Sequence, residues 1–363
     1  MPLDDTSRNR SRLATHCAVA LSTLAVACGA RSPLEIGGNT SSDAAAIVDA
    51  AVVHDDANAS ALCAPGAPPV VLASAPGDAL FRFLVSADDF LYYADANRET
   101  ISRLPKRGGD PATVVDHAAS VFSLAVDASS VYWSGSDEPG HSALLTAPRD
   151  GGAPRTLLVT APASSGFLVI NEASIYFTVS SLSQDIVAMP KTGGSPVTIG
   201  PGLHVGGLDA TNVFAVVKEH SAIAYPKAGG GNGRVVTTLI DDFVVSDGVL
   251  YAIRNYSRTP PLADKTIMRI GVDGTGRALL SEHRRGAQSI RVAGDAVYWL
   301  ESGALSAPNS PNPGDLLKAP KAGGGDARIL ASEAWIGDLV VDDACVYYVA
   351  LDATGRRLMK VAR

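Results

Sequence analysis

The feature that most constrains this chain is a repeat. A hydrophobic residue followed by an aromatic recurs as Leu91-Tyr92-Tyr93, Val131-Tyr132-Trp133, Ile175-Tyr176-Phe177, Val213-Phe214-Ala215, Leu250-Tyr251-Ala252, Val297-Tyr298-Trp299 and Val346-Tyr347-Tyr348, the first aromatics standing 37 to 49 residues apart. A second mark follows at a fixed phase: Pro105-Lys106-Arg107-Gly108-Gly109, Pro148-Arg149-Asp150-Gly151-Gly152, Pro190-Lys191-Thr192-Gly193-Gly194, Pro226-Lys227-Ala228-Gly229-Gly230 and Pro320-Lys321-Ala322-Gly323-Gly324. The fifth copy is reduced to Gly271-Val272-Asp273-Gly274. Short apolar runs such as Leu124-Ala125-Val126 and Leu339-Val340-Val341 precede the aromatics, often closed by a turn residue (Asp127, Asn171, Asp209, Asp342). A unit of this length cannot bury its apolar surface alone and must stack on its neighbours.

Each copy predicts four strands: an apolar inner strand, a tight turn at the Asp, the aromatic strand, a third strand such as Ile101-Ser102-Arg103-Leu104, and a Gly-Gly hairpin into a last one such as Ala112-Thr113-Val114-Val115. Gly-Gly supplies the positive φ of a tight hairpin, and β-branched residues fill the runs. Near-continuous apolar runs require sheets covered on both faces, which radially stacked blades provide. Residues 69–363 hold seven such copies of about 42 residues each, the size of a four-stranded blade. The expected fold is therefore all-β, a seven-bladed β-propeller.

The two ends fit a closed ring. The seventh copy stops at Leu358-Met359-Lys360-Val361-Ala362-Arg363, one strand short, while Pro69-Val70-Val71-Leu72-Ala73 is a spare strand at the front. The first then completes the last blade and removes the sheet edge that invites aggregation. Cys63 precedes the borrowed strand by a short lead-in, and Cys345 opens the seventh aromatic strand. Within one blade these strand starts lie at the same end with one strand between them, about 10 Å apart, so a Cys63–Cys345 disulfide is predicted.

Ahead of the repeats, Arg8, Arg10 and Arg12 precede an uncharged apolar stretch, residues 13–27, that ends in small residues before Cys28. At 1.5 Å per residue such a stretch does not cross about 30 Å of hydrocarbon, and its polarity is that of an export signal. Residues 1–27 are read as a signal peptide and residues 28–68 as a tether. The tether is rich in Ala, Ser, Asp and Gly and has no aromatic residue. It behaves as a coil of roughly 35 Å end to end. Export also permits the disulfide.

Composition narrows the function classes. The formal charge is −7, which lacks the basic excess needed for phosphate contact and argues against nucleic-acid partners. The four cysteines show no zinc spacing. No GxSxG elbow, phosphate loop, HExxH helix or full Ca²⁺ loop occurs, so no cofactor is expected. Asn39-Thr40-Ser41, Asn58-Ala59-Ser60 and Asn255-Tyr256-Ser257 fit the glycosylation pattern but mean little by themselves.

Val131-Tyr132-Trp133-Ser134 and Val297-Tyr298-Trp299-Leu300 give these repeats their family likeness. They resemble β-propellers of the group that contains the Tyr-Trp-Thr-Asp propellers of lipoprotein receptors and the TolB-like propellers of bacterial envelopes. No copy carries the full four-residue motif, so receptor-type function is not implied. Ala25-Val26-Ala27-Cys28 resembles a bacterial lipobox, in which the cysteine is acylated and becomes the new N-terminus; Leu24 stands one place ahead of the family's preferred Leu position. Together with the tether this is similar to propeller lipoproteins of high-GC, myxobacterial-type genomes. The resemblance implies lipidation at Cys28, an outer-membrane anchor in which Gly29 follows the cysteine, and a monomer that binds an envelope protein or small ligand. Plain secretion is the alternative address.

The repeated aromatic pairs read as packing between blades, and the Pro-Lys-x-Gly-Gly hairpins as solvated turns on one rim. The loops entering the inner strands carry Asp78, His117, His204, Asp241, Asp242, His283, Arg284, Arg285, Glu333 and Trp335, which a closed ring brings toward one axial mouth. Long Pro-rich loops at residues 255–265 and 301–315 are further recognition candidates. The expected activity is binding without catalysis. The alternative is a propeller enzyme, a metal-dependent lactonase-like hydrolase or a quinone-cofactor sugar dehydrogenase, using His117, His204, His283 and the acidic mouth residues.

Overall fold

The computed structural model describes residues 63–75, 81–138, 141–160, 166–179, 184–218, 220–255, 265–284, 286–301, 314–352 and 355–363. The export signal, Cys28 and most of the tether lie outside them. Among the described residues, twenty-eight antiparallel strands form seven four-stranded sheets. Their inner strands are Phe81–Ala87, Ser123–Val126, Leu168–Ile170, His204–Leu208, Ile240–Ser246, Ala287–Ala293 and Trp335–Val341, for blades 1 to 7. Each inner strand contacts the next, and that of blade 7 contacts that of blade 1. The ring is closed, and the chain is a seven-bladed β-propeller.

Blade 7 is built from both ends of the sequence. From inside outward it holds Trp335–Val341, Cys345–Asp352, Gly355–Ala362 and finally Val70–Ala75. Val70 pairs with Lys360 and Ala75 with Arg356. The predicted bridge is present: Cys63 and Cys345 are disulfide-bonded with their Cα atoms 5.8 Å apart. The lead-in to the outermost strand thus folds back across the blade.

The aromatic pair has a simple physical reason. Successive side chains of a strand point to opposite faces, so one residue of each pair serves each neighbouring blade. The buried apolar residues fall into seven clusters, each made of two adjacent blades. Every cluster joins the first aromatic position of one blade to the second position of the next: Tyr92 with Trp133, Tyr132 with Phe177, Tyr251 with Trp299, Tyr298 with Tyr348, Tyr347 with Tyr93. At about 25 cal/mol per Å² of buried apolar surface, and 150–250 Å² for each such ring, these contacts dominate the interfaces.

The hairpins are more than solvated turns. At the end of the ring where they lie, here the clasp face, the Lys or Arg of one blade reaches back to the preceding blade. Lys191 Nζ lies 2.7 Å from Asp127 Oδ2 and 5.4 Å from the centre of the Tyr132 ring. Lys106 makes the same pair with Asp342 at 2.8 Å and Tyr347, Lys321 with Asp247 at 2.6 Å and Tyr251, and Arg149 with Asp88 at 2.7 Å and Tyr92. Lys227 keeps only the ring contact, with Tyr176, because Asn171 replaces the acid. Between blades 4 and 5 the clasp is gone, since Phe214 and Val272 stand where Tyr and Lys stand elsewhere. The turn acids also cap their own turns, Asp127 Oδ1 accepting from Ser129 N and Ser130 N at 2.9 Å each. Behind the hairpins, Gly193 has φ +96°, a conformation that L side chains rarely adopt, and donates to Pro190 O at 2.9 Å.

Candidate functional site

The opposite end, here the mouth face, is where inner strands begin and aromatic strands end. Most inner strands carry a bulge near this end, with shifts between Arg82 and Val85, Val205 and Gly207, Ile240 and Asp242, Gln288 and Arg291, and Gly337 and Leu339. Phe83, Ser289 and Asp338 take positive φ there. A bulge frees backbone groups from the ladder, and here those groups are bound by the neighbouring blade. Asp338 Oδ2 of blade 7 accepts from Leu84 N of blade 1 at 2.5 Å, and Asp242 Oδ2 of blade 5 from Ile290 N of blade 6 at 3.1 Å. Their Oδ1 atoms accept from Leu339 N and Phe243 N, each at 2.8 Å. In the unbulged blade 2, Ser123 Oγ does the same work, accepting from Leu168 N at 3.2 Å.

Both carboxylates are buried. Burial pushes each above the usual carboxylate range, and the field of Arg291 together with the backbone N–H groups offsets this only in part. Arg291 belongs to the inner strand of blade 6, between the two acids, and acts on both.

His204 occupies a buried aromatic niche on blade 4. Its ring lies 5.3 Å from Phe167 and 6.4 Å from Phe243, and Nε2 has no hydrogen-bond partner. Gly206 makes the niche possible, because a Cβ there would collide with the Phe243 ring. Burial, with a smaller push from His220, lowers the His204 pKa to about 4, so the imidazole is neutral near pH 7.

Several charges of the mouth face are paired. Lys265 Nζ is 2.9 Å from Asp241 Oδ2, Arg284 Nη1 3.6 Å from Glu301 Oε1, and Arg357 Nη2 3.1 Å from Glu333 Oε2. Glu301 also accepts from Trp299 Nε1 at 3.0 Å, and burial lifts its carboxyl above the ordinary range. The Trp335 ring carries the Arg356 guanidinium at 5.5 Å.

The ring brings only part of the predicted set together. His204, Asp241, Asp242 and Trp335 lie in inner strands, a step inside the loops assigned to them. His117 follows the outer strand of blade 1 and lines a recess between blades 1 and 2. His283 and Arg284 end the outer strand of blade 5, and Glu333 that of blade 6. Asp78 and Arg285 lie outside the described residues. Among the described residues, no group of three His, Cys, Asp or Glu side chains could hold a metal ion. Sequence reasoning passed over Asp338, Arg291 and Ser123. The available signal was a polar residue at one phase of an otherwise apolar inner run.

The class this geometry defines is the seven-bladed β-propeller closed by a strand from its front. No family model and no curated protein matches the sequence. Solved structures similar to it include BamB from Moraxella catarrhalis, 14% identical over 82% of this chain and 98% of that one, with a TM-score of 0.53. YCF48 bound to D1 peptide is 13% identical over 82% and 98% of the two chains, TM-score 0.57. The β-propeller domain of the Trilobed protease from Pyrococcus furiosus, described as having an open velcro topology, is 13% identical over 78% and 95%, TM-score 0.57. At such identities the likeness is one of fold.

Proposed function

We propose that this chain is an exported, envelope-anchored and non-catalytic propeller, a binding or assembly module held by a lipid on Cys28 with its clasp face toward the membrane. The observation that supports this reading is where its exposed aliphatic side chains stand. Apart from Val159, which is exposed toward the mouth-face end of the outer strand of blade 2, the exposed aliphatics Val70, Val71, Val197, Val235, Leu279 and Ile329 are each the first or second residue of an outermost strand. That places them at the clasp-face ends of blades 3 to 7. Single exposed aliphatics are ordinary, whereas a fringe along one rim suits an interfacial contact with lipid. Cys63, from which the chain leads toward Cys28, is bonded to Cys345 at the same face.

The mouth face then looks away from the lipid. Several of its acids and bases are committed to one another, as in Lys265–Asp241 and Arg357–Glu333, which favours a pre-organised recognition surface over proton transfer to a substrate. The likeness in fold to YCF48, solved bound to D1 peptide, supports a peptide or protein ligand by analogy of fold alone.

The test is made on the full chain. Acyl labelling is expected for the wild type and absent from Cys28→Ala. Flotation with lipid vesicles is expected to weaken for Val235→Asp combined with Ile329→Asp. Equal flotation of that pair removes the orientation, and stoichiometric metal or a quinone absorption band in the purified protein turns the assignment to the enzyme reading through His117, His204 and His283.

A further inference from the structure

At the mouth-face corner between blades 7 and 1, the ring brings two guanidiniums within reach of each other's field. Trp335 opens the inner strand of blade 7 and stands in one cross-strand row with Leu351 and Arg356. It is half-buried against the core cluster that blades 7 and 1 share, and its ring carries the Arg356 guanidinium at 5.5 Å. Gly337 lets that ring lie along its own strand, because a Cβ there would collide with the indole. The bond from Leu84 N to Asp338 pins the inner strand of blade 1 beside this point. Arg82, two residues before Leu84, is exposed there.

Among the described residues, neither Arg82 nor Arg356 forms an ion pair or hydrogen bond with a carboxylate. Asp95, which acts on Arg356, and Asp338, which feels Arg82, are both engaged elsewhere. Asp95 Oδ2 lies 2.8 Å from Arg98 Nη1 and its Oδ1 accepts from Asn97 N at 3.1 Å, while Asp338 accepts from Leu84 N and Leu339 N. Burial lowers the Arg356 pKa, the Arg82 charge lowers it further, and Asp95 offsets only part of this. Like charges sharing a partly desolvated corner disfavour one another until an anion joins them. On a chain of formal charge −7 this corner is a local island of positive field.

We propose that this corner is a carboxylate-binding site, Arg82 and Arg356 together holding an acidic side chain of a peptide ligand beside the Trp335 ring. A guanidinium presents a planar fork of donors that matches a carboxylate. The aromatic shelf holds Arg356 in place beforehand, so less side-chain freedom is lost on binding. The inference rests on the reading of the mouth face as a recognition surface and gives that surface a ligand chemistry. It needs neither the lipid anchor nor the orientation toward the membrane.

N-acetyl-tetraglutamate amide is the probe, with the tetraglutamine peptide as its neutral counterpart, on the full chain with its disulfide intact. The chain has three Trp residues. In an NMR titration the Trp335 indole N–H resonance is expected to move saturably with the tetraglutamate peptide while those of Trp133 and Trp299 stay fixed, Trp335 being assigned with Trp335→Phe. Calorimetry is expected to show binding weakened about tenfold or more in Arg82→Gln and in Arg356→Gln, the range of a hydrogen bond to a charged group, and weaker binding of tetraglutamine to the wild type. Arg82→Lys is expected to recover only part of the loss, because Lys offers a point charge and no fork. Blade 6 carries Gln288 at the register of Arg82, so the first substitution suits the fold. Should Arg356→Gln fail to fold, Arg82→Gln and the wild-type titration decide. No saturable movement of the Trp335 resonance, equal movement of all three indoles, unchanged affinity in Arg82→Gln, or tetraglutamine binding as tightly as tetraglutamate overturns the site. Acyl labelling and flotation do not depend on this corner, so its failure leaves the envelope reading standing, and failed labelling leaves the site standing.

Discussion

Lys191 of blade 3 sets its ammonium 2.7 Å from the Asp127 carboxylate of blade 2, over the ring of Tyr132. Three marks of the repeat, the turn acid, the first aromatic and the hairpin cation, are thereby one device shared between two copies. The same carboxylate holds its own turn through Oδ1 and receives the Tyr132 hydroxyl at 3.0 Å on Oδ2. Burial pushes Asp127 up, but Lys191 and the N–H groups of Ser129 and Ser130 outweigh it and hold the carboxyl below its ordinary range.

Asp127→Asn isolates the charge, because Asn171 shows that an amide still caps this turn, accepting from Ser174 N at 2.8 Å. The substitution is expected to cost about 1 kcal/mol, as does Lys191→Met, with most of the loss shared in a double-mutant cycle. A depressed acid contributes stability above its unfolded pKa of 3.8 and loses it as pH falls through the lower folded value. Urea midpoints of wild type and Asp127→Asn should therefore converge below that range.

The Cys63–Cys345 bridge closes a loop of sequence separation 282. Cross-linking so long a loop restricts the unfolded chain, and its loss is expected to cost about 2–4 kcal/mol. Reductant should lower the melting temperature of the wild type and leave the Cys63→Ser, Cys345→Ser double variant unmoved.

Asp242 binds two backbone N–H groups on two blades. Asp242→Ala strands both and is expected to cost about 2–4 kcal/mol, whereas Asp242→Asn keeps an acceptor and removes a buried charge. An acid raised by burial makes the fold less stable as pH rises from 3.8 toward its folded value. The Asn variant should lack that decline, and because its NH2 group faces one of the two N–H donors it should be less stable than the wild type at pH 4 in chemical denaturation, the gap narrowing as pH rises.

His204 sets a second pH dependence of opposite slope. Its folded pKa of about 4 lies below the ordinary 6.5, so the unfolded chain binds the proton more readily between those values. Stability is complete above pH 6.5 and falls as pH drops toward 4. His204→Phe is expected to flatten that limb, read as the difference in urea midpoint between pH 5 and pH 7.5.

Ring, blade number, closing strand and disulfide were legible in the sequence because each is written as period and phase. Pro105-Lys106 to Pro320-Lys321 repeat at one offset from the aromatics, and a repeat that must bury both faces has few ways to stack. The partners of the repeated residues were not legible. That Lys191 serves Asp127 of the preceding copy, or that Asp338 holds Leu84 across 254 residues, depends on which face of one blade meets which face of the next, and this is fixed only when the ring closes. The axial set shows the same limit from the other side. His117, His204 and His283 share a residue type and fall in the connections toward inner strands at differing register, yet a blade is four strands deep, and depth from the axis is a tertiary quantity. Trp133 and Trp299 share the same two preceding residues, Val-Tyr. Only the packed loop at Ala119, which shuts a side chain out of position 135, leaves one indole donor satisfied and the other buried without an acceptor among the described residues.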